Sequence, residues 1–340
     1  EIYTLSLHDA LPICWAGHPA QETLNRRYGD CTDVSILFAT LCKAAGIEAY
    51  PIYVKTSDAG ESIVSLAIPD SNHAISQIIR PDGSKQYLDC TSDTYRYPYF
   101  RSDDHGIWAI NAIKSEIERT PVPSPSDNRR VSRIALTLDS ELNASISEAN
   151  DYNGSYEAGI RGYWRRTPVD RRAREMQRHL SSNYPNASLR AFELSDVNDL
   201  AVPLTMTLDY HAPRLGVRAG EYAIIRVGGL EWNFGAQTAL ATRQYAIENN
   251  TTRSQDRQWV YRLPDGYRIR FLPEPLRIDE PHIGYEATMT PSDDGRSVIV
   301  EERFEIRSRI IPPDDYPQYR DGLNRIARWS KNCIFLKAEQ

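Results

Sequence analysis

Cys31 sits in the run Tyr28-Gly29-Asp30-Cys31-Thr32-Asp33, where a loop gives way to a helical pattern. A thiol at that point lies near N–H groups with no intrahelical acceptor and near the positive end of the helix dipole, and both favour thiolate over thiol. A free cysteine titrates near ~8.5, so such an environment, together with an imidazolium, supplies a nucleophile at neutral pH. The backbone N–H of Cys31 could also donate to an oxyanion. His73 opens a predicted strand 42 positions later and Asp89 closes the next one, 16 positions further on. Between them Pro81-Asp82-Gly83-Ser84 is a turn sequence that folds the two strands side by side. In that arrangement His73 can exchange a proton with Cys31, and Asp89 can fix the ring tautomer and stabilise the imidazolium. Taken singly, each residue also has a structural reading: a helix cap for Gly-Asp-Cys, a satisfied histidine near apolar neighbours, and a turn-capping aspartate.

The elements around these residues follow from periodicity. AQETLNRRYGD reads as a short amphipathic helix and turn. CTDVSILFATLCKAAG carries apolar residues at 34, 37, 38, 41 and 45, the spacing of a buried helical stripe, with Gly46 as its stop. IEAYPIYVK, ESIVSLAIP, NHAISQIIR and KQYLDC are predicted strands. Residues 119–130, RTPVPSPSDNRR, suit an extended linker. Beyond them VSRIALTLDSELNASISEAN, PLTMTLDYHA, EYAIIRV, DRQWVYRLP, YRIRFLP and RSVIVEERFEIRSRI alternate apolar and polar residues as strands do. One helix interrupts this half, PVDRRAREMQRHLSSNYPN, with Thr167 as candidate cap and Pro168 at its first position. YPQYRDGLNRIARWSKNCIFLK adds a terminal helix and strand.

Composition bounds the remaining classes. At 340 residues, 41% hydrophobic and 25% charged, the chain has room for two or three packed units. A formal charge of −6 gives no broad basic surface, and RGYWRRTPVDRRAREMQR reads as a solvated helix face, so no nucleic-acid partner is expected. No stretch reaches the roughly 18 apolar residues that span a bilayer. The five cysteines show neither a disulfide-scaffold spacing nor a zinc-type CxxC pair. Cys42 reads as a small core hydrophobe, and Cys14 and Cys333 are assigned no chemistry. His105, His179, His211 and His282 are expected at the surface. Residues 1–13, EIYTLSLHDALPI, resemble the read-through translation of a common sequencing-library adapter. They are set aside as foreign, and the native N-terminus is expected to be missing.

YGDCTDVSILFATLCKAAGIEAYPIYV, NHAISQII and QYLDCTSD together resemble the three signature segments of the transglutaminase-like superfamily. The resemblance covers roughly residues 15–118. It implies Cys31 as nucleophile, His73 as general base and acid, Asp89 as orienting carboxylate, and no metal or organic cofactor. Two departures are Cys90 where Pro is usual after the aspartate and Thr32 where Lys is common. A glutamine that often completes the oxyanion hole is not found before HPAQETLNRRYGDC, which leaves the second oxyanion donor unassigned. His18, Trp15, Tyr28 and Trp108 are candidate cleft-lining residues, with Tyr95, Tyr97 and Tyr99 as further aromatic candidates; for His18 the alternative is a structural hydrogen bond.

The fold class implied is α+β: a papain-like transglutaminase core of N-terminal helices, nucleophile helix and antiparallel sheet, followed by a mostly β, sandwich-like C-terminal region. The expected organisation is a catalytic domain over 14–118, a linker over 119–130, a β-rich domain with one helix over 131–250, and a C-terminal β-rich domain ending in a helix over 251–340. LPDGYRIRFLPEP and RIIPPDDYPQYRDGLNRIARW resemble the C-terminal region of bacterial multi-domain members, which are commonly exported. The resemblance therefore implies a cysteine peptidase or amidase acting on a peptide or protein substrate, periplasmic or extracellular, with hydrolysis favoured over crosslinking. The competing expectation is a non-catalytic scaffold with a vestigial triad, docking a cell-envelope partner through its β-rich part.

Overall fold

The computed structural model of the chain describes residues 17–65 and 70–339. The expectations for residues 1–13, for Cys14 and for the cleft candidate Trp15 lie outside the described residues. The chain is α+β and divides into two compact units, one up to Pro123 and one from Ser124.

In the first unit, helix α1 (Ala20–Arg26) and helix α2 (Cys31–Ala44) precede five strands: β1 (Glu48–Val54), β2 (His73–Ile79), β3 (Lys85–Leu88), β4 (Trp108–Asn111) and β5 (Glu116–Arg119). All pair antiparallel in the order β3-β2-β1-β4-β5. The β2–β3 hairpin forms where the Pro-Asp-Gly-Ser turn requires it. Gly83 takes φ 81°, the Asp82 carboxylate accepts from the Ser84 N–H at 2.9 Å, and the Arg80 and Ser84 backbones bond at 2.9 Å. Ile52, Val54, Ile75, Tyr87, Phe100, Ile107 and Ala109 make the core. Of ESIVSLAIP, expected as a strand, residues 61–65 are irregular and turn backbone, and 66–69 lie outside the described residues.

α2 turns a different face to the sheet than its apolar pattern predicts. Its buried residues are Thr32, Asp33, Ser35, Ala39 and Cys42, whereas Val34, Leu37 and Phe38 are half-buried and Leu41 is exposed. Small side chains let the helix axis approach β1 and β2 closely, and that approach carries the Cys31 sulfur to the strand that bears His73.

The second unit runs through β6 (Arg129–Leu138), β7 (Ala144–Tyr152), α3 (Gly154–Arg166), α4 (Val169–Asn183), β8 (Ser188–Leu194), β9 (Thr205–Ala212), β10 (Gly216–Ala219), β11 (Tyr222–Arg226), the single turn α5 (Gly235–Thr238), β12 (Ile247–Glu248) and β13 (Arg253–Arg262). It continues with β14 (Tyr267–Phe271), β15 (Leu276–Asp279), β16 (Ile283–Pro291), β17 (Ser297–Ile306), β18 (Ile310–Ile311), α6 (Tyr316–Trp329) and β19 (Cys333–Ala338). An eight-stranded sheet, β15-β16-β17-β13-β6-β7-β9-β8, and a four-stranded sheet, β10-β11-β19-β14, share one hydrophobic core.

This topology corrects the expected boundary at 250/251. β13 pairs in parallel with β6 over Ser254↔Arg129 to Arg262↔Thr137, so 131–250 and 251–340 complete one sheet rather than two domains. Two helices replace the single predicted one. α3 escaped periodicity because its inward face carries Glu157 and Arg161, which are fully buried against each other and against the carbonyls of Asp196 and Val202. Thr167 ends α3, and α4 begins at Val169 with Pro168 before it.

Enlarging the small face of α2 tests its close approach to the sheet. Ala39→Leu should destabilise the protein by about 1–3 kcal/mol through overpacking and slow iodoacetamide labelling of Cys31 in the fraction that stays folded. An unchanged melting temperature would contradict the close packing.

Candidate active site

The loop before α2 is set by three residues. A Cβ on Gly29 would stand 2.5 Å from the Asp33 Cβ, so glycine is required where the chain crosses the helix end. Asp30 caps α2, accepting from the Asp33 N–H at 2.9 Å, and Asp33 accepts in turn from the Asp30 N–H at 3.3 Å, a reciprocal capping box. His18 closes the arrangement, with its backbone N–H on Asp33 Oδ1 at 2.7 Å and its Nδ1 at 3.1 Å from both carboxylate oxygens. Burial works against the Asp33 charge, but the His18 and Asp30 donors hold its pKa below the ordinary value. Cys31 is thereby fixed as the first residue of the helix, where its own N–H has no intrahelical acceptor.

Ala74 ties this helix to β2. Its backbone N–H bonds the Cys31 sulfur, and its carbonyl accepts from the Ser35 hydroxyl at 3.3 Å. One residue earlier, His73 hydrogen-bonds the same sulfur and, through Nε2, lies 3.1 Å from Asp89 Oδ2. With Nε2 facing Asp89, Nδ1 is the ring nitrogen left for Cys31. The Asp89 carboxylate is fully shielded from solvent. Its Oδ1 accepts from the Thr91 N–H at 2.9 Å and the Thr91 hydroxyl at 2.6 Å, and the Arg101 guanidinium stands 3.5 Å from Oδ2.

These contacts set the charges. Burial opposes ionisation of Asp89, yet the bonds from His73 and Thr91 depress its pKa. Burial also opposes the imidazolium, but the bonds to Asp89 and Cys31 raise the His73 pKa to about 10. For Cys31 burial raises the pKa, and the His73 hydrogen bond, the Ala74 N–H and the His73 charge outweigh it, so the net direction is down. These shifts run toward a thiolate–imidazolium pair braced by a carboxylate.

Comparison with known proteins bears on this unit and the next separately. Residues 8–90 match the model of the transglutaminase-like superfamily, a span that holds Cys31, His73 and Asp89. The N-terminal unit carries a transglutaminase-like domain. Residues 230–336 match a domain of unknown function with a solved structure (DUF3858). A crystal structure of a candidate protease from Parabacteroides distasonis shares the fold, with TM-score 0.50 and 11% identity over 94% of this chain. The chain spans 46% of that protein's length. No curated protein matches.

The other expected residues of the transglutaminase-like domain fall differently. His18 is half-exposed and bonds Asp33 through its backbone N–H and Nδ1. Tyr28 is exposed three residues before Cys31, and Trp108 opens β4 with its ring under the Arg119 guanidinium, 4.4 Å from centroid to cation. Tyr97 is exposed, and the Tyr95 hydroxyl accepts from the Ser102 N–H at 3.2 Å. His105, expected at the surface, is fully buried: its ring meets Phe100 edge-on at 4.6 Å and its Nε2 lies 3.2 Å from the Phe100 carbonyl. In the second unit His282 is likewise drawn in, between Ser308 at 2.8 Å and Asp315 at 2.9 Å.

Sequence reasoning missed Asp104. This residue is fully buried, neither carboxylate oxygen has a hydrogen-bond partner among the described residues, and its ligand atoms lie within 4.8 Å of those of His73 and Asp89. Burial and the Asp89 charge push its pKa up to about 7. Its only signal in the sequence is its place in Arg101-Ser102-Asp103-Asp104-His105, which on its own reads as a polar loop.

The cysteines should be chemically distinct. Burial raises the pKa of Cys42, raises that of Cys90 to about 11 and raises that of Cys333, whereas that of Cys31 is lowered. At pH 7, peptide mapping after brief iodoacetamide treatment should find Cys31 labelled at least about tenfold faster than Cys42, Cys90 and Cys333; equal labelling would contradict the paired thiolate.

Proposed function

We propose that the transglutaminase-like domain is a cysteine acyl-transfer enzyme, with Cys31 as nucleophile, His73 as general acid and base and Asp89 as the carboxylate that orients the ring. The observation that carries this reading is the continuous chain from the Asp89 carboxylate through the His73 ring to the Cys31 sulfur at a helix N-terminus. The thiolate attacks a carboxamide or peptide carbonyl, forming an S–C bond while the carbonyl π electrons move to oxygen. The Cys31 N–H donates to that oxyanion. As the tetrahedral adduct collapses, the C–N bond breaks and the His73 imidazolium gives its proton to the departing amine, leaving a thioester. Neutral His73 then takes a proton from water, the resulting hydroxide attacks the thioester, and the acid is released with the thiolate–imidazolium pair restored.

An amine in place of water would complete a transamidation by the same route. We favour water, so the reading is a peptidase or amidase. The likeness in fold to the Parabacteroides distasonis protein agrees with that choice.

A fluorogenic peptide library tests this directly. Wild type should cleave a subset of substrates, Cys31→Ala should abolish turnover with the melting temperature nearly unchanged, and Asp89→Asn should lower kcat by about 10²–10⁴-fold by holding His73 in the wrong tautomer. Wild-type turnover in Asp89→Asn would remove Asp89 from the mechanism. The pH profile has a defined sign. The nucleophile, with its pKa lowered, gains activity on an acid limb below the ordinary thiol range, and the raised pKa of His73 places the loss of its acid proton on an alkaline limb near 10.

A further inference from the structure

We propose that His73, Asp89 and Asp104 form a divalent-cation site of the zinc class on the side of the histidine away from the thiol. One ligand atom from each residue lies within 4.8 Å of the other two. A nitrogen and two carboxylate oxygens suit zinc, with bonds of about 2.0–2.2 Å that small side-chain rotations would reach from this spacing.

Asp104 makes the cluster more than a triad with an acidic neighbour. Its backbone is pinned, with the carbonyl accepting from the Thr120 hydroxyl at 2.6 Å while that same hydroxyl accepts from the Ile107 N–H at 3.1 Å. The rigid backbone holds a fully buried carboxylate toward Asp89, with neither oxygen satisfied among the described residues. Two carboxylates in a dry site repel each other, and a buried carboxylate without donors is costly. A doubly charged cation removes both penalties at once, because its charge balances the pair. Arg101 offers partial relief only, since its guanidinium stands 3.5 Å from Asp89 and is also bound by Asp103.

Occupation would remove a contact that the acyl-transfer reading uses. The metal would take the Nε2 lone pair and the Asp89 oxygen that otherwise face each other at 3.1 Å. Asp89 could then no longer orient the His73 ring through that hydrogen bond. The loss of that contact matters only on the acyl-transfer reading; the binding itself does not rest on it.

The test is calorimetric titration of the EDTA-stripped full chain with zinc chloride, in wild type, Cys31→Ala, Asp104→Asn and Asp104→Ala, with circular dichroism to select folded variants. One zinc per chain should bind equally to wild type and Cys31→Ala, and at least about tenfold more weakly to whichever Asp104 variant is folded. Loss of binding in Cys31→Ala would place the metal on the thiol and overturn the proposal, as would undiminished binding in the Asp104 variants. If zinc binds with the expected dependences and no peptide is ever cleaved, the acyl-transfer reading falls and the metal site stands.

Discussion

The Asp89 carboxylate is a buried charge, and the first unit is arranged around keeping it charged. Left alone in that position it would take up a proton, because an unpaired carboxylate out of water is strongly disfavoured. The His73 ring at 3.1 Å, the two donors of Thr91 and the nearby Arg101 guanidinium offset that cost. A histidine that must hold a proton against such a carboxylate can in turn stabilise an anion on its other nitrogen, and α2 brings a thiol to that place. In the proposed mechanism the charge on Cys31 depends, through His73, on the Asp89 carboxylate. Removing Asp89 should alter sulfur chemistry as well as ring orientation.

Much of this was legible because turn chemistry is local. Pro81-Asp82-Gly83-Ser84 leaves the chain one economical geometry, a hairpin, and a hairpin with His73 at one open end and Asp89 at the other must place them together. Gly29 and Asp30 likewise announce a loop ending in a capped helix. The helix face was not legible, because apolar periodicity finds the stripe at 34, 37, 38 and 41, whereas positioning the sulfur selects for small residues at 32, 35, 39 and 42. Where a helix must come close, size outweighs hydrophobicity.

Asp104 and His105 were unreadable for another reason. Both lie in a polar loop whose depth is set by Thr120, across the sheet edge at the end of β5, and by Phe100. Nothing in the loop's own sequence says that it folds inward. The second unit repeats the lesson: alternation located most of its strands, but the parallel β6–β13 pairing that joins 131–250 to 251–340 spans over a hundred residues and leaves no local signature. The Glu157–Arg161 pair, apolar in neither member, hid a whole helix from periodicity.

The central claim is that His73 charges the Cys31 sulfur. It is tested most directly by the pH dependence of Cys31 alkylation, followed by mass spectrometry, in the wild type and in His73→Ala. The account predicts a midpoint well below the ~8.5 of a free thiol in the wild type and a clear upward move without the histidine. An ordinary midpoint that is the same in both proteins would contradict it.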